Sequence, residues 1–182
     1  VIREAEAYIE ARVDEKRLFG GAKYASLPED TRKDVLQKIL PVVRGAVSDE
    51  KKQIVSYDDS EDVLTFVNSH EAPRLSQVGA ACPDHLVHTK RVPLYIDWDP
   101  ASGNVEALVE KVKSGIEQYK AEYKAYFDRN KGPGMQRFEA GPRIILIPGV
   151  GMINTGKSWA MSKVSAELYH RAIAVMRGAT AL

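Results

Sequence analysis

Two short hydrophobic runs, residues 92–98 (VPLYIDW) and 143–148 (RIILIP), flank the longest amphipathic segment of the chain, and this arrangement most narrows what the sequence can build. Between the runs, Val105, Leu108, Val109, Val112, Ile116, Tyr119, Tyr123, Tyr126 and Phe127 keep helical spacing. Strand, helix and strand in that order predict a right-handed crossover, with the two strands as parallel neighbours or near neighbours in one sheet. The alternation recurs upstream. Residues 53–58 (QIVSYD) read as a strand, and the next segment carries Val63, Leu64, Phe66 and Val67 on a helix. A helix starting at Glu29 presents Val35, Leu36, Ile39, Leu40 and Val43, and Pro41 is expected to end or kink it. A last helix, from about residue 158 to 176, is expected to turn Met161, Val164, Leu168, Ala172 and Val175 inward. The expected class is α/β, three layers, a mostly parallel sheet flanked by helices.

Ile2, Ala5, Ile9 and Val13 lie near one face of an opening helix, which the glycines and proline of FGGAKYASLP interrupt. Residues 1–26 therefore read as a helix and linker, and residues 27–182 as the α/β domain. Lys and Arg total 26 against 25 Asp and Glu, so no net field favours nucleic acid or an anionic membrane. No apolar run approaches the roughly 20 residues of a membrane span. The single cysteine, Cys82, excludes an intrachain disulfide, and a cytoplasmic location is expected. The opening charged helix is unlike a signal peptide, and the chain does not begin with methionine, which suggests a piece of something longer.

Residues 151–158, GMINTGKS, satisfy G-x-x-x-x-G-K-[ST] letter for letter. A phosphate loop needs backbone N–H groups facing the anion at a helix N-terminus, and the local context of a strand before and a helix after is suitable. A nucleotide-hydrolysing core also needs a further strand ending in a magnesium-binding aspartate, and the residues after Ser158 read as one helix. A dinucleotide fingerprint would need a third glycine where Asn154 stands. Two readings remain side by side. In one, the glycines serve a tight turn. In the other, Gly149, Gly151, Gly156, Lys157 and Ser158 form an anion-binding turn at the carboxyl ends of the strands, where Asp99 and Pro100 would supply another wall. An independent phosphate- or nucleotide-binding domain is the alternative function on that second reading.

Residues 82–90, CPDHLVHTK, form the densest polar group and read as a loop before a strand. His85, His88, Thr89 and Lys90 are secondary site candidates. H-x-x-H alone is not a metal signature, and no metal is assigned. No G-x-S-x-G, H-E-x-x-H or Tyr-x-x-x-Lys pattern is present.

Four stretches carry a family resemblance: LPVVRGAVS at 40–48, CPDHLVHTKRVPLYIDWDP at 82–100, PRIILIPGVGM at 142–152 and ELYHRAIAVMRGATAL at 167–182. Together they resemble the bifunctional rhamnulose-1-phosphate aldolase/short-chain alcohol dehydrogenase family. The resemblance implies a parent that cleaves a ketose 1-phosphate to dihydroxyacetone phosphate and an aldehyde, then oxidises the aldehyde with NAD. It implies a divalent metal held by histidines in the aldolase half and NAD in the dehydrogenase half. The sequence has neither the aldolase's Gly-Asn-x-Ser and His-x-His motifs nor a dehydrogenase glycine fingerprint. The resemblance thus places it between the two catalytic halves, as an accessory domain without a cofactor of its own. Expected partners are the other domains of the parent, a small phosphorylated sugar and, for an oligomerising module, a second copy. Within the family, the serine after GK is not required, so Ser158 is incidental to the pattern.

Overall fold

The computed structural model describes residues 2–182, the side chains of Glu15 and Lys16 excepted. Its helices are α1 (Ile2–Glu10), α2 (Glu29–Val47), α3 (Glu61–Val67), α4 (Ala72–Leu75), α5 (Pro83–Thr89), α6 (Val105–Asn130) and α7 (Trp159–Ala181). Its strands are β1 (Ile54–Asp58), β2 (Leu94–Tyr95), β3 (Ile144–Ile147) and β4 (Gly151–Gly156), in the order β1-β4-β3-β2. As the crossover argument requires, β2 and β3 are parallel neighbours, with α6 between them in the chain.

The sheet is nevertheless mixed and mostly antiparallel, which corrects the expected mostly parallel arrangement. Both β3–β4 and β1–β4 are antiparallel, and β4 supplies both pairings. This strand is the segment read as a glycine-rich turn before a helix. Its letters hid it because Gly151 and Gly156 bound only four residues, Met152, Ile153, Asn154 and Thr155, which show no period-two alternation. The chain reverses instead at residues 148–150, where Gly149 adopts φ 73°. A Cβ there would meet Pro100 Cβ at 2.5 Å, so glycine is required both by conformation and by space.

Alternation along the central strands builds two cores. Ile145, Ile147 and Ile153 face α2 and α6, joining Val35, Leu36, Ile39, Val43, Leu108, Val112 and Ile116. Ile144, Leu146 and Met152 face the other way, towards Phe66 of α3 and Tyr169 and Ile173 of α7. Phe19 enters this second core, edge-on to Phe66 at 5.1 Å, and its amide donates to Thr180 Oγ1. The segment preceding residue 27 thus contributes a fully buried side chain, whereas α1 buries none.

Three local expectations change for physical reasons. Pro41 lies inside α2 without ending it, because Ile39 and Val43 on either side are fully buried. That burial, about 1.5–3 kcal/mol per side chain, offsets the lost hydrogen bond. The polar loop at 82–90 is α5, opened by proline in its first turn. Helix α7 is rotated from its expected face: Ser162, Ser165, Tyr169 and Ile173 are buried, while Met161, Val164 and Val175 are exposed. Small residues are needed because α7 starts against β4; a Cβ on Gly156 would lie 2.6 Å from the Ser162 amide nitrogen.

Gly149→Ala should destabilise the fold by about 2 kcal/mol or more, combining overpacking with a disfavoured φ. Urea denaturation midpoints compared with the unchanged chain measure it. An alanine variant of equal stability would mean that Pro100 does not abut the hairpin.

Candidate functional site

The antiparallel pairing sets the start of β1, the end of β4 and the start of β3 at one end of the sheet. Three polar residues leave those strands there: Gln53 before β1, Lys157 after β4 and Arg143 before β3. Arg143 is pinned by its backbone carbonyl, which accepts from Thr155 N, while Thr155 Oγ1 donates to Pro142 O. Its guanidinium donates to Gln53 Oε1 at 2.9 Å and to Glu139 Oε2 at 3.1 Å. The second oxygen of Glu139 takes Lys157 Nζ at 3.0 Å and Lys51 Nζ at 3.5 Å. Glu139 is buried, and burial alone would raise its carboxyl; its own amide, Lys157 and Arg143 outweigh that and hold it down to about 2.

Lys90 completes the group from α5. It has φ 63°, uncommon for a side-chain-bearing residue, and is almost wholly buried. Its ammonium donates to the backbone carbonyls of Glu139 and Gly141, and lies 3.8 Å from the centre of the Tyr123 ring. Burial, reinforced by the Arg143 charge and only partly countered by Glu139, pulls its pKa down to about 6. Lys90 thus straps residues 139–141 in place, and Glu139 gathers the cations. Arg137 lies beside the same group and pairs with Glu50 at 3.2 Å.

The sequence candidates separate on this frame. Lys157 and Lys90 come together through Glu139. Gly151 and Gly156 are in β4, where Gly151 pairs with Ile147 and Gly156 with Ile54. Their segment is a strand, not the cradle of free N–H groups that a phosphate loop requires, which corrects the turn reading. Ser158 caps α7 by accepting from Met161 N. Gly149 lies at the opposite end of the sheet, with its N–H bound by Asn68 Oδ1 and its carbonyl by Leu27 N. At the carboxyl ends of β2 and β3, Pro100 packs on Gly149. His85 and His88 stay on α5; their backbone carbonyls accept from Thr89 Oγ1 and Ser165 Oγ. Among the described residues, no group of three His, Cys, Asp or Glu is placed to hold a metal ion.

Sequence reasoning missed Glu139, Arg143, Gln53 and Lys51, which are separated along the chain and meet only through strand pairing. It also left His170 unassigned. That imidazole bridges Asp62 Oδ2 through Nδ1 and Asp58 Oδ2 through Nε2, both at 2.8 Å, tying α7 to β1 and α3. Burial disfavours the imidazolium, but the two carboxylates outweigh it and raise the pKa above 6.5. Because the ring nitrogens point in opposite directions, the trio forms a staple and not a metal cradle.

Two pH responses follow with opposite signs. Glu139 is depressed from 4.5 to about 2, so its contribution is complete above pH 4.5 and is lost as pH falls towards 2. Glu139→Gln should cost about 3 kcal/mol at neutral pH, as for breaking a buried pair, and should flatten that acid limb. His170 is raised, so its contribution is complete below pH 6.5 and is lost as pH rises through its folded value. His170→Gln should remove this alkaline loss and cost about 1–2 kcal/mol near pH 6, the scale of a charged hydrogen bond. Denaturant midpoints from pH 2 to 9 for all three chains read both effects.

Comparison with known proteins gives the site its context. All 182 residues are 64% identical to a stretch of the uncharacterized oxidoreductase YuxG of Bacillus subtilis (strain 168), a stretch that makes up 26% of that protein's length. The chain therefore spans about a quarter of this relative. No solved structure matches. The model of the family described as "Aldolase class II, second domain" matches residues 34–182, which include all four strands and every residue of the Glu139 cluster. The chain belongs to the class II aldolase second-domain family.

Proposed function

We infer that the chain is an accessory α/β domain of a larger bifunctional enzyme, similar to rhamnulose-1-phosphate aldolase/short-chain alcohol dehydrogenases. The parent cleaves a ketose 1-phosphate and then oxidises the aldehyde product with NAD. The observation that carries this reading is the joint one of the comparisons. An aldolase second-domain match coincides with full-length similarity to a quarter of a protein named as an oxidoreductase. In this reading, the metal and NAD belong to the flanking halves, and the domain packs against them in the cytoplasm. No described helix is long and apolar enough to cross a membrane.

The geometry also disfavours the nucleotide-binding alternative. Only Lys157 and Ser158 separate β4 from α7, and the glycines between which a phosphate would sit are paired in the sheet. A second-copy interface on α6 finds no support either, since none of the exposed large hydrophobic side chains lies on that helix.

The experiment is a paired assay of the 182-residue chain and of the protein from its complete reading frame. The expected outcome is that the longer protein forms dihydroxyacetone phosphate from a ketose 1-phosphate and NADH from lactaldehyde, while the chain alone does neither. NADH formation by the chain alone, abolished by a substitution within it, would refute the accessory role.

A further inference from the structure

The Glu139 cluster is unbalanced. Its single carboxylate receives three cationic side chains, Lys51, Arg143 and Lys157, while its backbone carbonyl accepts from the Lys90 amine. The nearby acids are engaged elsewhere. Glu50 pairs with Arg137, and Asp49 pairs with Lys120, which Glu117 also contacts. Arg143 and Lys90 are buried, and their donors are directed to Gln53, Glu139 and Gly141. Lys157 and Lys51 differ: they are the solvent-facing members, with side chains 41% and 66% exposed. Both contact the same oxygen, Glu139 Oε1, so their ammonium groups lie no farther apart than those two contacts allow.

We propose that Lys51 and Lys157, held side by side on Glu139 and backed by Arg143, form a binding site for a phosphoryl dianion, either free phosphate or a small phosphate monoester. Each ammonium has three donors, and Glu139 takes one from each lysine, leaving donors available on the solvent side. A phosphoryl group carries about −1.5 to −2 charge near neutrality and has three acceptor oxygens, so it matches two adjacent ammonium groups in charge and number of contacts. A monocarboxylate offers less charge and fewer acceptors. Arg143 is fixed by Gln53 and Glu139 and acts as a positioning residue, whose field strengthens the site without touching the ligand. The arrangement is sheet-built, since the end of β4 and the start of β3 deliver Lys157 and Arg143. It therefore owes nothing to the glycine pattern, and it stands whether or not the parent has the activity inferred above.

The test is calorimetric titration of the 182-residue chain with inorganic phosphate, glycerol 3-phosphate and acetate at one ionic strength. Saturable binding of the phosphoryl ligands and much weaker binding of acetate are expected. Lys157→Ala and Lys51→Ala, both at exposed positions, should each weaken phosphate binding about tenfold or more, the loss of one charge-assisted contact. Lys157→Arg should retain most of it. Equal affinity for the two phosphoryl ligands means that the dianion alone is recognised; tighter monoester binding adds recognition of its organic part, and both outcomes support the site. Absence of saturable phosphate binding, acetate binding as tight as phosphate binding, or phosphate affinity unchanged in both alanine variants would overturn it.

Discussion

The β3–β4 hairpin is buried along its whole length on both faces, and the rest of the molecule answers that constraint. Residues 144–147 and 151–156 expose almost nothing. A pair of strands so enclosed must find partners for every backbone N–H and C=O, since an unpaired buried group costs about 1–3 kcal/mol. Strands β1 and β2 meet that need at the sides. Helices α2 and α6 cover one face, and α3 and α7 the other. The tight reversal at Gly149 lets the hairpin exist, and Pro100, Leu27 and Asn68 lock it from outside.

The two ends of this buried pair differ in chemistry. At the reversal, the turn is held by proline, leucine and an asparagine side chain. At the other end, the chain leaves β4 through the exposed Lys157 and enters β3 through Arg143, whose burial requires compensation. Glu139 supplies it by accepting from Arg143 and Lys157 together, and Lys90 secures the backbone that carries Glu139. Burial, reinforced by the neighbouring Arg143 charge, lowers the pKa of Lys90, while at Glu139 its own amide, Lys157 and Arg143 outweigh burial and hold the carboxyl down.

How far the sequence could be read depended on whether the signal was local. The β2–α6–β3 unit was legible because Leu108, Val112 and Ile116 repeat along one helix between two apolar runs. Strand β4 was not, because a glycine at each end made GMINTG look like a turn, and only pairing with β1 and β3 reveals its state. The buried face of α7 was misread for a related reason. Ser162 fits a close approach to β4 and Ser165 donates to the His88 carbonyl of α5, neither of which hydrophobicity records. Lys157 and Lys90 were recognisable as charged residues next to elements. Their meeting at Glu139, like the bridging of Asp58 and Asp62 by His170, depends on tertiary distance alone.

The strand order has a consequence for how the chain reaches this state. The edge strands β1 and β2 come first along the chain, and the central pair comes last. During synthesis from the N-terminus, neither edge has a neighbour to bond with until the residues beyond 143 emerge. The helices α2, α3 and α6 likewise have no sheet to lie on before then. The nascent segment up to residue 142 is thus a set of amphipathic pieces awaiting a template. Closure of the hairpin converts it in one late, non-local step, the kind of ordering that makes folding slow and the waiting chain prone to off-pathway association.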